Sequence, residues 1–165
     1  MNATNEISQA KPAPKTIISW PHLVFAVLGF AISIYAIWAH GRVEAGLGTG
    51  CPVTNTISCD EVLGSKWGKF FGIPLGYFGA VFWVMVGITA ITNSATSLKS
   101  AALQRFGIAA VGIASSAFLF YVSEFLIGKI CLICLSTHIT SLLNFLYSSF
   151  ALIKARKVAT SAENL

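Results

Sequence analysis

The chain has 165 residues, of which 55% are hydrophobic and only 10% are charged, and its formal net charge is +5. A soluble domain uses about 25% charged residues, so this composition excludes an ordinary water-soluble protein and indicates a membrane protein. The basic residues lie singly or at the ends of apolar segments, without a stripe of interleaved aromatics, which argues against nucleic-acid binding.

Four segments are long and apolar enough to cross a bilayer, which takes about 20 residues. They cover residues 20–39, 72–92, 101–127 and 130–153. The first is interpreted as an uncleaved helix, because its apolar stretch and the polar tail before it are both long for a signal peptide. The predicted fold is an all-α membrane protein, a four-transmembrane-helix bundle with an extracytoplasmic loop and a short amphipathic segment between helices 1 and 2. Residues 1–19 and 154–165 are predicted cytoplasmic tails, the first of them disordered.

The distribution of Lys and Arg predicts the orientation. With both tails inside, seven basic residues face the cytoplasm and four face the outside, as the positive-inside rule requires. The inner set is Lys11, Lys15, Lys99, Arg105, Lys154, Arg156 and Lys157, and the outer set is Arg42, Lys66, Lys69 and Lys129. The loop between the first two helices is therefore expected outside.

The four cysteines are the most informative residues, and on this topology all of them lie at the outer side. Cys51 and Cys59 lie in the loop, and Cys131 and Cys134 form a Cys-x-x-Cys pair at the start of the fourth helix. Residues three apart share a helix face, so a disulfide can close there, and a helix N-terminus stabilises the thiolate that carries out exchange. Two coupled redox pairs are the favoured interpretation. Structural disulfides and a four-cysteine metal site are the alternatives.

His138 lies four residues after Cys134 and seven after Cys131, on the same helix face. A histidine inside a membrane helix is costly unless it has a polar partner or a ligand. Two interpretations stay open, a hydrogen bond to a neighbouring helix and a polar contact in a ligand pocket.

Residues 64–74 form an amphipathic, aromatic segment directly after Cys59. Its aromatic rings, among them Trp67 and Phe71, can lie at the membrane interface while its lysines reach the headgroups. We expect this segment to anchor the loop, and it also offers a way to bring Cys59 towards Cys131.

Together these residues resemble the vitamin K epoxide reductase family over residues 20–153. The resemblance is carried by Cys51 and Cys59 with seven residues between them, Ser65-Lys-Trp-Gly, Gly72-Ile-Pro, and Cys131-Leu-Ile-Cys134. It implies a helical bundle around a quinone pocket at the outer membrane face.

The resemblance also implies roles for the cysteines. Cys131 and Cys134 would be the active-site pair, with Cys134 reacting with the quinone. Cys51 and Cys59 would be the shuttle pair, in which Cys59 exchanges with Cys131 and Cys51 exchanges with a partner protein.

The family's pocket positions correspond to Ser65, Trp67 and Phe71, with Ser65 in the loop and the two aromatic residues in a cap over the pocket. Two positions depart from the vertebrate pattern. His138 stands where vertebrate members have a tyrosine, and Leu75 aligns with their asparagine. Those two vertebrate side chains hydrogen-bond the vitamin K oxygens, so the departures predict quinone reduction without efficient epoxide reduction.

The expected function is that of a membrane thiol oxidoreductase in the bacterial inner membrane, with both termini cytoplasmic. Electrons would pass from a separate periplasmic thioredoxin-fold (DsbA-like) protein to ubiquinone or menaquinone, driving disulfide formation in secreted proteins, without a metal. The alternatives are a vitamin K quinone or epoxide reductase, a non-enzymatic membrane protein with structural disulfides, and a metal-binding membrane protein.

Overall fold

A computed structural model describes residues 18–91 and 98–163. The predicted disordered tail therefore falls almost wholly outside the described residues. In chain order the elements are α1 (Trp20–Glu44), α2 (Cys59–Gly64), a 3₁₀ turn (Lys66–Gly68), β1 (Lys69–Phe70), β2 (Ile73–Pro74), α3 (Leu75–Ile91), α4 (Leu98–Tyr121), a π-helical turn (Val122–Ile127) and α5 (Leu132–Glu163).

The long helices pack mainly in two pairs, α1 against α3 and α4 against α5, and α1 also contacts α5. Glycine residues allow α1 and α3 to pack closely. A Cβ atom at Gly29 would lie 2.0 Å from the ring of Trp83, and one at Gly76 would lie 2.7 Å from the Ile37 side chain. Contacts this short require the absence of a side chain. Gly29 leaves room for the Trp83 ring, and Gly76 lets α3 come close to the backbone of α1.

The first long helix continues beyond the predicted residue 39 to Glu44. It ends where the N–H of Gly46 donates to the carbonyl of Val43 (3.0 Å) and the N–H of Leu47 donates to that of Arg42 (2.9 Å), with Gly46 at φ 72°. This is a Schellman C-cap, which needs a residue that tolerates positive φ. Apolarity marks where a helix can contact lipid, whereas the glycine marks where the helix stops.

The second long helix begins at Leu75 rather than at the predicted residue 72, because a tight hairpin precedes it. β1 and β2 pair antiparallel around Phe71 and Gly72, which lie at φ 51° and 80°. Two central residues at positive φ are typical of a type I′ turn.

The other two long helices also differ from the predicted ranges. α4 begins at Leu98 rather than at the predicted residue 101. Its final segment after Tyr121 widens into the π-helical turn, which ends at Ile127 as predicted and is capped by Gly128 with φ 74°. α5 begins at Leu132 and continues past the predicted residue 153, because the polar residues that follow include neither glycine nor proline before its end.

Two helical stretches within residues 18–91 and 98–163 are long and apolar enough to cross a membrane by themselves, Trp20–Glu44 and Lys99–Ile127. The shorter α3 is apolar throughout its 17 residues. Large apolar side chains are also exposed on every long helix, for example Val27, Val81, Val111 and Leu146, all more than half exposed. Surfaces of this kind are stable only against an apolar medium or a partner.

Candidate active site

The outer cysteine pair forms a disulfide between Cys51 and Cys59. Cys51 is half-buried and is followed by a run of exposed loop residues, 52–56. Cys59 is completely buried at the first position of α2, whose N-cap Ser58 accepts a hydrogen bond from the N–H of Glu61 (3.3 Å). The disulfide thus joins a position near solvent to one inside the protein.

A second contact closes the same loop. The backbone N–H of Thr49 (2.8 Å) and its hydroxyl (2.5 Å) both donate to Oδ1 of Asp60. The hydroxyl bond first, and then the backbone bond, lower the pKa of Asp60 below its usual value. Because a carboxylate is the better acceptor, the contact is present at neutral pH and is lost only when the pH falls through that lowered pKa.

The inner pair, Cys131 and Cys134, is present as two free thiols. Cys131 directly precedes α5 and caps it, since its Sγ accepts a hydrogen bond from the N–H of Cys134 (3.2 Å). Cys131 is 2% exposed, whereas Cys134 is half-buried. An N–H donor at a helix N-terminus stabilises a thiolate at the Cys131 sulfur.

A short backbone pairing brings the two cysteine pairs together. Ile130 donates its N–H to the carbonyl of Thr56 (2.8 Å) and accepts the N–H of Ser58 at its own carbonyl (3.1 Å). The parallel bridge pairs Ile57 with Ile130, so the segments that lead into Cys59 and Cys131 run side by side. Both cysteines lie in one buried cluster. Whether the amphipathic segment helps to bring them together stays a prediction.

All four cysteines belong to one apolar cluster. Cys59 and Cys131 are buried in its centre, and Cys51 and Cys134 pack at its edge. Cys51 therefore lies on the exposed side, Cys59 and Cys131 are buried, and Cys134 reaches the interior cavity described next.

A cavity of about 630 Å³ lies between the long helices, next to Cys134. Its wall is largely apolar and aromatic, with contributions from Trp83, Phe82 and Leu119. Cys134 lines it, whereas Cys131 does not. A pocket of this size and character suits a flat, mostly apolar molecule with a small number of polar contacts.

The structure places three of the predicted pocket residues on the cavity wall, namely Trp67, Leu75 and His138. Nδ1 of His138 lies 3.1 Å from Oγ of Ser116 on α4. The histidine therefore makes a hydrogen bond to a neighbouring helix and also lines the pocket, and its contact with a ligand stays a prediction.

The other two predicted pocket residues, Ser65 and Phe71, do not line the cavity. Oγ of Ser65 donates to the carbonyl of Val62 (2.8 Å) and accepts from the N–H of Trp67 (3.2 Å), so it holds the turn that positions the indole. Phe71 occupies the hairpin tip, is 89% exposed and contacts Phe70.

Several lining residues were not predicted from the sequence. They include Ser33 and His40 on α1 and Ser116 on α4. Apolar periodicity gives no information about small polar residues inside a helix, and His40 lay just beyond the predicted end of its helix.

Charged side chains lie near Cys131 and Cys134. Nζ of Lys129 pairs with Oε1 of Glu61 at 3.3 Å. Glu124 lies in a small crevice with Cys131, Cys134 and His138, and its Oε2 is buried without a hydrogen-bond partner in the part of the chain that the structure describes. Among the described residues, no three His, Cys, Asp or Glu side chains are arranged to hold a metal ion.

Comparison with known proteins decides the family. The family model described as the vitamin K epoxide reductase family matches residues 20–149. The chain belongs to this family. Vitamin K epoxide reductase complex subunit 1 of Rattus norvegicus is 26% identical over 128 residues, which cover 70% of this chain and 79% of the rat protein.

Membership confirms the resemblance seen in the sequence. The vitamin K epoxide reductase family consists of membrane-integral oxidoreductases that act on thiols and on quinone or epoxide substrates. The chain is therefore a membrane oxidoreductase, and its two long apolar helices agree with this location.

Proposed function

We propose that the chain transfers electrons from a periplasmic thioredoxin-fold (DsbA-like) protein to a membrane quinone, by way of Cys51–Cys59 and then Cys131–Cys134. The arrangement of the four sulfurs carries the proposal. Cys51 lies next to the exposed loop, Cys59 and Cys131 share a buried cluster, and Cys134 lines the cavity. This order leads from the aqueous side to an apolar pocket.

In the first step, a thiolate of the reduced partner attacks Cys51 and releases the thiolate of Cys59. The partner's second thiol resolves the mixed disulfide, so the partner is oxidised and the outer pair is reduced. The Cys59 thiolate then attacks Cys131 of the inner disulfide, and Cys134 leaves. Cys51 resolves this second mixed disulfide, which restores the outer disulfide and leaves two inner thiols.

In the last step, the inner dithiol gives two electrons and two protons to the quinone, which becomes a quinol while the Cys131–Cys134 disulfide forms. An outer disulfide combined with inner thiols would be the state directly before this step. The position of Cys134 on the cavity wall supports its role as the sulfur that meets the quinone.

This function is tested by adding a short-chain ubiquinone to the reduced, detergent-solubilised protein. We expect two thiols to be lost for each quinol formed, because one disulfide supplies two electrons. A Cys134→Ser variant should form no quinol. Free thiols are counted with a chromogenic reagent, and quinol is measured by its absorbance. An unchanged thiol count in the wild-type protein would contradict the proposed electron acceptor.

We also propose that all four long helices cross the bacterial inner membrane, with both termini cytoplasmic. More Lys and Arg residues lie on the predicted cytoplasmic side than on the predicted outer side, which supports this orientation. The exposed apolar faces of α3 and α5 support contact with lipid.

The topology predicts opposite labelling of two exposed positions. In a variant lacking the native cysteines, a membrane-impermeant maleimide should label Asn55→Cys in intact cells. Ser161→Cys, near the end of α5, should react only after permeabilisation. The reverse pattern would place the cysteine loop in the cytoplasm, outside the oxidising compartment that the proposed function needs.

A further inference from the structure

One polar side chain in the cavity wall has no hydrogen-bond partner among residues 18–91 and 98–163. This is His40 on α1, which is 2% exposed and whose two ring nitrogens are both unbonded within those ranges. It lines the same cavity as Cys134 and His138. A buried polar group without a partner destabilises a protein, so it calls for an explanation such as a ligand that the group receives.

The two other histidines of the chain both have hydrogen-bond partners. Nδ1 of His22 lies 2.8 Å from Oγ of Ser19, and its Nε2 lies 3.0 Å from Oγ of Ser148. His138 has the contact with Ser116 already described. His40 is the histidine with neither nitrogen bonded among the described residues.

Glu44 does not provide a hydrogen-bond partner for His40. Nε2 of His40 lies 3.7 Å from Oε1 of Glu44, which is too far for a hydrogen bond. The carboxylate of Glu44 is half-exposed, and the same oxygen is paired with Nζ of Lys69. The imidazole of His40 therefore remains available to a molecule in the cavity.

His40 and His138 each lie more than one helical turn from the end of their helix. His40 is four residues before the end of α1, and His138 is six residues after the start of α5. At 1.5 Å per residue they lie about 6 and about 9 Å inside the outer ends of their helices. Because α1 and α5 are in contact, two imidazoles line one pocket from two different helices.

We propose that His40 binds a second carbonyl oxygen of the quinone, while His138 binds the first. The inference rests on the proposed function, since it assigns a contact within that pocket. A neutral imidazole has one N–H, which donates to a quinone carbonyl, and one bare nitrogen, which accepts from a quinol hydroxyl. The pocket would thus select a flat ring with oxygen atoms at opposite ends, and Leu75 would contribute only apolar contact.

The test compares His40→Phe with His22→Phe, a matched change at the other buried histidine of α1. We measure the KM and kcat for a short-chain ubiquinone and the thermal midpoint of unfolding in detergent. His40→Phe should raise KM about tenfold, a loss of about 1.4 kcal/mol in binding, with a thermal midpoint equal to or above that of the wild type. His22→Phe should lower the midpoint, because it leaves two serine hydroxyls unpaired, and it should leave KM unchanged.

A further variant, His40→Gln, keeps an N–H donor and should recover part of the wild-type KM. If the wild-type protein reduces no ubiquinone, the proposed function itself fails. If the wild type is active but His40→Phe has an unchanged KM, the function stands and the inference about His40 is wrong. A KM that is equally high in His40→Gln and His40→Phe would also count against it, since shape rather than hydrogen bonding would then explain the effect.

Discussion

A variant in which Cys51 and Cys134 are both alanine should accumulate a disulfide between Cys59 and Cys131. These two changes remove the thiols that would resolve the proposed intermediate, so the bond that normally forms briefly cannot be broken again. The two remaining cysteines are buried in one cluster, and the segments that lead into them are joined by the bridge between Ile57 and Ile130. Quinone turnover should fall by about 10³-fold or more, because the inner disulfide can no longer form.

The disulfide is detected by mass spectrometry of peptides prepared without reductant. A matched control replaces Cys51 and Cys131, which leaves Cys59 and Cys134. Since Cys134 reaches the cavity and is not the capping residue next to Ile130, this pair should remain mostly as free thiols. Free Cys59 and Cys131 in the first variant, or equal cross-linking in the two variants, would argue against the relay.

Replacing His138 by phenylalanine should slow quinone reduction by about 10–100-fold, which corresponds to about 1.4–2.7 kcal/mol in the barrier. The histidine lies on the cavity wall with Cys134, one helical turn further along α5. A hydrogen bond that stabilises developing negative charge on the quinone oxygen lowers the barrier to reduction. Exchange between Cys59 and Cys131 should continue at its normal rate, because His138 lies seven residues, about two helical turns, beyond Cys131.

Stopped-flow absorbance separates the two rates in this variant. Ser116→Ala serves as the control, since it removes the hydrogen bond to Nδ1 and keeps the imidazole, and its effect on quinone reduction should be smaller. Unchanged quinone reduction in His138→Phe would remove the histidine from the site.

The same pocket predicts little or no reduction of vitamin K epoxide by the wild-type protein, although the rat relative is named for that reaction. His138 and Leu75 stand where vertebrate members have a tyrosine and an asparagine, and only the histidine offers a hydrogen bond. Robust epoxide reduction would show that the imidazole can replace the tyrosine.

The two cysteine pairs and the approximate positions of the apolar helices could be predicted from the sequence, because the spacing of cysteines and runs of apolar residues are local properties. The pairing of Ile57 with Ile130 could not, since it joins backbone groups that are far apart in the chain. The exposure of Phe71 depends on the positive φ of a hairpin turn, which aromatic residues rarely adopt. His40 was missed because the end of α1 is set by a glycine cap rather than by apolarity.

The burial of Cys59 and Cys131 has a kinetic consequence. In the proposed relay, a small thiol dissolved in water would have no direct access to either central sulfur, and a quinone in the cavity would meet neither of them. Electrons would enter at Cys51 and leave at Cys134. The apolar cluster would therefore protect the two central sulfurs from direct reaction with low-molecular-weight reductants.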